Sequence, residues 1–144
     1  MNIAQLNIAQ VRFPLDDLRM AGFVEQLAEV NAGAEAADGF VWRLRDDDGP
    51  GATSYRILGR DDLIVNLSVW RDLAALRAYV IGFIPHRNAL RDRAQWFERT
   101  TEPMTVCWPV AHGHLPTLEE AEARLLQMRA EGPSETAFPY SHRG

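Results

Sequence analysis

Eight residues, Leu63-Ile64-Val65-Asn66-Leu67-Ser68-Val69-Trp70, alternate with a period of two. A strand sends successive side chains to opposite faces, so Val65, Leu67 and Val69 share one face and Ile64, Asn66, Ser68 and Trp70 the other. A helical stripe does not fit this spacing. The segment must be a strand, and the chain must be organised around the sheet that holds it. The pattern leaves open which set faces a covering helix, because a wholly apolar set suits either buried surface and a shift of one residue inverts the assignment.

The flanking sequence supplies the remaining elements. Ile3 to Val11 alternates as well, with Leu6 and Ile8 opposite Gln5, Asn7 and Ala9. Pro14 ends that strand, and Asp16 or Asp17 can cap a helix whose stripe is Met20, Phe23, Val24, Leu27 and Val30. The helix runs out at the turn Asp38-Gly39. Phe40, Trp42 and Leu44 alternate with Val41, Arg43 and Arg45 as a second strand. Asp46 to Gly51 reads as a solvated loop, since its three aspartates lack the calcium-loop spacing and terminal Glu. A short extended piece covers Tyr55 to Leu58.

After Trp70, Asp72 starts a helix with Leu73, Leu76, Val80 and Phe83 on one side. Gly82 and Pro85 interrupt it, and a second helical piece spans His86 to Phe97. Met104 to about Val110 is the fourth strand, and Pro109 within it points to a sheet edge or to the strand's end. Thr117-Leu118-Glu119-Glu120 is a capping box that opens a helix over about 117–131, with Leu118, Ala121, Leu125 and Met128 as its stripe. Gly132-Pro133 stops it, and the tail after 133 is irregular.

The order β-α-β-β-α-β predicts an α+β, ferredoxin-like domain over residues 1–144, with both main helices on one face of a four-stranded antiparallel sheet. That count leaves the other face uncovered, and a large uncovered apolar face marks an interface or a ligand site. The expectation is a homodimer in which two sheets close a barrel, with the C-terminal helix bracing it or acting as a lid.

Composition narrows the chemistry. A net charge of -5 excludes nucleic acid as the expected partner. No stretch is long and apolar enough for a membrane span, and no basic N-terminal region precedes an apolar run, so a cytoplasmic protein is expected. There is no lysine, which removes Schiff-base schemes. The single cysteine, Cys107, cannot form an intramolecular disulfide and reads as a small buried hydrophobe. His112-Gly113-His114 offers two imidazoles without a third ligand at metal spacing. No phosphate loop, dinucleotide fingerprint or Ser-His-Asp ordering is present.

Three residues fall where one apolar pocket could collect them: Asn7 in the first strand, Trp70 at the end of the third, and His86 after the following helix. Asn is depleted in strand interiors, and a buried amide needs partners. Asn7 therefore bonds either a ligand or Asn66 and Ser68. Asn66, Ser68, Tyr79, Trp96 and Trp108 are the further pocket candidates, against the plainer reading that the indoles are core. His86 is either a ligand or base in the pocket, or the start of a helix bonded to backbone. Arg87, Arg91 and Arg93 read as a solvated face, with pairing to acid groups of a ligand such as haem propionates as the alternative.

Several segments together resemble one family. Ile3-Ala4-Gln5-Leu6-Asn7-Ile8-Ala9, Gly39-Phe40-Val41-Trp42-Arg43-Leu44 and Val65-Asn66-Leu67-Ser68-Val69-Trp70 resemble the bacterial domain-of-unknown-function family 3291. So do His86 with Leu90-Arg91, Trp96-Phe97, Gly113-His114-x-Pro116-Thr117 and Glu119-Glu120-Ala121. The resemblance implies membership of the dimeric α+β barrel superfamily, which includes antibiotic-biosynthesis and haem-degrading monooxygenases.

In the haem-degrading group an Asn on the first strand, a Trp ending the third and a His on the next helix serve the cofactor. By that resemblance His86 would ligate haem iron, Asn7 would bond near the distal side and Trp70 would press on the macrocycle. The ligand would lie between sheet and helices, with Asn7 and Trp70 facing the helices. The cofactor-free members hold a phenolic substrate in a similar cavity. The chain departs from the haem pattern in the long stretch from Trp70 to His86, with its Gly and Pro, and in its additional C-terminal helix. The expectation is a monooxygenase-like protein that binds an apolar or aromatic small molecule, with haem or no cofactor. The alternatives are a non-catalytic dimeric binding protein and a cofactor-free isomerase or cyclase. An open space under the helices favours a ligand, and a packed interior favours a structural role.

Overall fold

The computed structural model describes residues 1–45, 55–82 and 94–142. The period-two segments form the strands β1 (Asn2–Gln10), β2 (Phe40–Arg43), β3 (Leu63–Trp70) and β4 (Thr105–Val110). They make one antiparallel sheet in the order β2-β3-β1-β4. Helices α1 (Ala21–Ala36), α2 (Leu73–Gly82) and α3 (Leu118–Glu131) pack around it, with a 3-10 turn at Leu18–Met20 ahead of α1. This is the ferredoxin-like α+β arrangement with a helix added at its C-terminal end. β4 lies at the edge, where Pro109 is tolerated.

Local chemistry sets the boundaries. Asp17 accepts a hydrogen bond from Arg19 N at 2.9 Å and so caps the turn into α1. Asp72 accepts from Ala75 N at 2.8 Å at the start of α2. Thr117 accepts from Glu120 N at 3.1 Å at the start of α3, as the capping box requires. The second half of that box departs from expectation, because the Glu120 carboxylate bonds Trp108 and His114. Gly39 lets β2 start against α2: its φ is +85°, and a Cβ there would lie 2.4 Å from Ala75 Cβ.

The register settles which residues share a face. Asn7 stands opposite Asn66 and Thr105, Gln5 opposite Ser68 and Cys107, and Ile3 opposite Trp70. This mixed face looks toward α1 and α2. The apolar face carries Ala4, Leu6, Ile8, Val65, Leu67, Val69, Val106 and Trp108, all buried.

The apolar face is not uncovered. Ala121, Leu125 and Met128 of α3 pack on it, and Ile57 joins the same core. Leu58 N donates to Glu122 Oε1 at 2.6 Å, which ties the segment ahead of β3 to α3. The expectation of an exposed face counted only α1 and α2. A stripe at i, i+4 and i+7 fits a flat apolar face as well as a second sheet does. Fully burying one side chain such as Leu125 is worth about 1.5–3 kcal/mol. The chain thus covers its apolar sheet face with its own α3, which lies across the sheet from α1 and α2.

α1 sits differently. Phe23, Leu27 and Val30 of its stripe are only half-buried, and Val24 is 43% exposed although the pattern placed it in the stripe. The helix stands over a space in place of a filled core.

Candidate functional site

That space is a cavity of about 210 Å³ between the mixed face of the sheet and helices α1 and α2. Gln5, Asn7, Asn66, Ser68 and Trp70 form the sheet side; Phe23, Leu27 and Val30 come from α1, and Leu76, Tyr79 and Val80 from α2. Trp96, Phe97 and Tyr140 complete the wall. The helices therefore contribute mostly apolar groups, and the sheet contributes a row of neutral polar ones.

The polar row is a hydrogen-bonded network. Gln5 Nε2 donates to Asn66 Oδ1 at 2.6 Å and to Ser68 Oγ at 2.8 Å. Trp70 Nε1 donates to the same Ser68 Oγ at 2.9 Å. Tyr140 OH donates to Gln5 Oε1 at 2.9 Å. Buried polar groups with mutual partners hold one geometry, because any rearrangement leaves a donor unpaired. The Trp70 ring is fixed further by stacking on Tyr79, with centroids 5.1 Å apart, and by an edge contact with Phe40.

Asn7 stands outside this network. Its Oδ1 accepts from Thr105 Oγ1 at 3.0 Å, and among the described residues no hydrogen bond from its Nδ2 is found. The partners expected for Asn7, Asn66 and Ser68, are bonded to Gln5.

Electrostatics keeps the site's phenols and thiol protonated at neutral pH. Burial pushes Tyr79 up to about 12, against a small opposing effect of the Arg43 charge. Tyr79 OH donates to Val30 O at 2.6 Å. Burial also pushes the Tyr140 phenol well above its ordinary value and Cys107 up to about 12. These groups can donate hydrogen bonds but do not serve as anionic bases or nucleophiles.

Of the sequence candidates, the cavity brings together Asn7, Asn66, Ser68, Trp70, Tyr79 and Trp96. Tyr79 is buried, with its ring stacked on Trp70. Trp108 is not with them. It lies on the apolar face with Val106 and Val110, and its Nε1 donates to Glu120 Oε2 at 2.7 Å. Strand alternation puts it opposite Cys107, which belongs to the helix-side core with Trp70. His114 bonds the same carboxylate at 2.7 Å and supports the turn into α3. His86, with Arg87, Arg91 and Arg93, lies outside the described residues, as does the loop of three aspartates.

Sequence reasoning did not select Gln5, Arg43 or Tyr140. Gln5 carried a signal, since it shares Asn7's face of β1. Arg43 carried no signal, because a charged residue in an alternating strand reads as solvent-facing, and only the structure shows it buried. Tyr140 carried none, because it belongs to an irregular tail. That tail is held by paired backbone bonds between Cys107 and Phe138 and by Arg77, which donates to Tyr140 O and His142 O.

The described residues do not fit haem. The cavity is smaller than the range of about 300–1,000 Å³ typical of sites for drug-sized ligands, and a tetrapyrrole needs more. No His, Cys or Met is among the described residues that line it. Likewise, no cluster of three or more His, Cys, Asp or Glu able to hold a metal ion occurs among the described residues. No described helix is long and apolar enough to cross a membrane.

Comparison with known proteins gives the following. Two solved structures of SnoaB, a cofactor-independent oxygenase from Streptomyces nogalater, one of them a mutant, are 25% identical and match 81% of this chain and 98% of their own, with TM-scores of 0.48 and 0.47. A protein of unknown function from Nitrosomonas europaea is 16% identical over 81% of this chain and 95% of its own, with a TM-score of 0.52, and shares the fold. No curated protein matches significantly. The family profile of a domain of unknown function, DUF3291, matches residues 2–143, and the chain belongs to that family.

Proposed function

We propose that the cavity receives a small, largely apolar or aromatic organic molecule, and that the protein is a monooxygenase-like enzyme acting on it without haem. The observation that carries this reading is the division of the cavity walls: apolar helices on one side, a pre-bonded row of neutral polar groups on the other. Ligand sites have this composition, with a few convergent polar groups fixing orientation. Asn7 Nδ2, for which no hydrogen bond is found among the described residues, would donate to a ligand oxygen and stabilise charge that develops on it.

Oxygenation without a redox cofactor has a fixed balance. A substrate CH2 and one O2 give a C=O and one water, so the substrate supplies all four electrons. Such a substrate must carry an acidic C–H or a phenol. His86 is the residue to test as the base that removes its proton.

The test is an oxygen-electrode assay with enolisable or phenolic aromatics and no added cofactor, paired with calorimetric binding. Saturable binding and oxygen uptake are expected, with both lost in Leu27→Trp, which fills the cavity. Uptake that survives in a folded Leu27→Trp variant would sink the assignment. A second reading, ligand binding without turnover, is favoured by the lack of a carboxylate or imidazole among the described lining residues. Binding without oxygen uptake would select it.

A further inference from the structure

The described lining of the cavity is neutral except at one place. Arg43, at the end of β2, lines it with a side chain only 5% exposed. A guanidinium has five donors and no acceptor, and burying it requires compensation. The compensation here is partial. Arg43 Nε and one terminal nitrogen donate to the same Glu35 Oε1, at 3.1 and 2.9 Å, and the other terminal nitrogen reaches Leu44 O at 3.5 Å. Glu35 is 38% exposed, and its other oxygen lies 3.6 Å from Arg45. Two guanidiniums thus share one carboxylate, and the locality keeps an excess positive charge. The buried member of the pair faces the cavity, where its charge acts on Tyr79.

We infer that Arg43 is a specificity-determining residue that selects ligands carrying an anionic oxygen group, a carboxylate or an ionised phenol or enol, on an aromatic body. This rests on the proposed use of the cavity as a ligand site. A planar carboxylate or a phenolate oxygen matches the donors that Arg43 has left. The apolar walls, including Phe23 and Val30, would hold the ring, and the anion would complete the neutralisation that Glu35 begins.

The test is calorimetric titration with 2-naphthoate and its neutral analogue 2-naphthamide, on the whole chain. Wild type should bind naphthoate at least about tenfold more tightly than naphthamide, the scale of one charge-assisted hydrogen bond. Arg43→Gln should abolish that preference, bringing naphthoate down to the naphthamide affinity measured in the same variant. Arg43→Lys should restore part of it, and far-UV circular dichroism of both variants reports whether they fold. Equal affinities in wild type, or a preference that survives Arg43→Gln, would overturn the role of Arg43 while leaving the cavity as a ligand site. Failure of both probes to bind wild type would overturn the inference together with the reading it rests on. Naphthoate binding that persists in Leu27→Trp, with the cavity filled, would place the anion elsewhere and also overturn it.

Discussion

Replacing Ser68 by Ala should be far more damaging than the loss of one hydroxyl suggests. Ser68 Oγ accepts from two donors, Gln5 Nε2 at 2.8 Å and Trp70 Nε1 at 2.9 Å. Gln5 keeps Asn66 as a partner through its other N–H, at 2.6 Å. The Trp70 indole keeps nothing, and at 1% exposure it does not turn to solvent. An orphaned buried donor costs about 1–3 kcal/mol, and two orphans put the expected loss near 2–4 kcal/mol. At about 4 °C per kcal/mol, a domain of this size should lose roughly 8–16 °C in Tm. Urea unfolding followed by Trp fluorescence measures it, with an unchanged m-value showing that the native and unfolded states keep their compactness. The companion variant Gln5→Leu/Ser68→Ala should lose more, because it also strips the Tyr140 hydroxyl of its acceptor and Asn66 Oδ1 of its donor. A Ser68→Ala loss below about 0.5 kcal/mol, the scale of an ordinary surface change, would refute the claim that the network is closed and dry.

Other perturbations have equally definite outcomes. Gly39→Ala combines a φ of +85° with a Cβ 2.4 Å from Ala75 Cβ, and should cost about 3 kcal/mol or more by thermal denaturation, whereas Gly59→Ala, at a φ of +66° with open space around it, should cost about 1 kcal/mol. Burial alone would raise the Glu120 carboxyl, but its hydrogen bonds with His114 and Trp108 outweigh that and hold it below its ordinary 4.5. A depressed carboxylate stabilises above its unfolded pKa, and the contribution fades as pH falls through the folded one. The stability gap between wild type and Glu120→Gln, measured by denaturation from pH 7 to pH 3, should therefore close on acidification below about 4.5. Cys107, buried and with its thiol pushed up to about 12, should resist Ellman's reagent at pH 8 in the folded protein and react at once in guanidinium. Labelling of the native chain at a free-thiol rate would contradict its placement between Phe138 and the sheet.

Much of this fold is legible because its signals are local. Leu63–Trp70 becomes a strand with the bounds that its alternation gives, and Thr117 caps the helix that its motif announces. The placement of Asn66, Ser68 and Trp70 on one face also follows from period two, while the β1–β3 register is what brings Asn7 to them. Which side that face looks toward does not, since it depends on where remote helices dock. The same gap explains α3, whose stripe is readable while its docking partner is not. Trp108 was misassigned for this reason: alternation separates it from Cys107, but only the pairing of β4 with β1 shows that Cys107 belongs with Gln5. Tyr140 is the extreme case. It reaches Gln5 across 135 residues of sequence from a tail with no periodicity. Arg43 shows a different failure, because a charged residue in an alternating strand reads as solvent-facing until its neighbours are known.

Because α3 and the sheet it coats belong to one polypeptide, their contact forms at an effective concentration set by the chain and not by the amount of protein in solution. The α3 coat lies on the other face of the sheet from the cavity, so the face that anchors the molecule is not the face that carries the site. Breathing at the cavity can therefore be fast without loosening the domain.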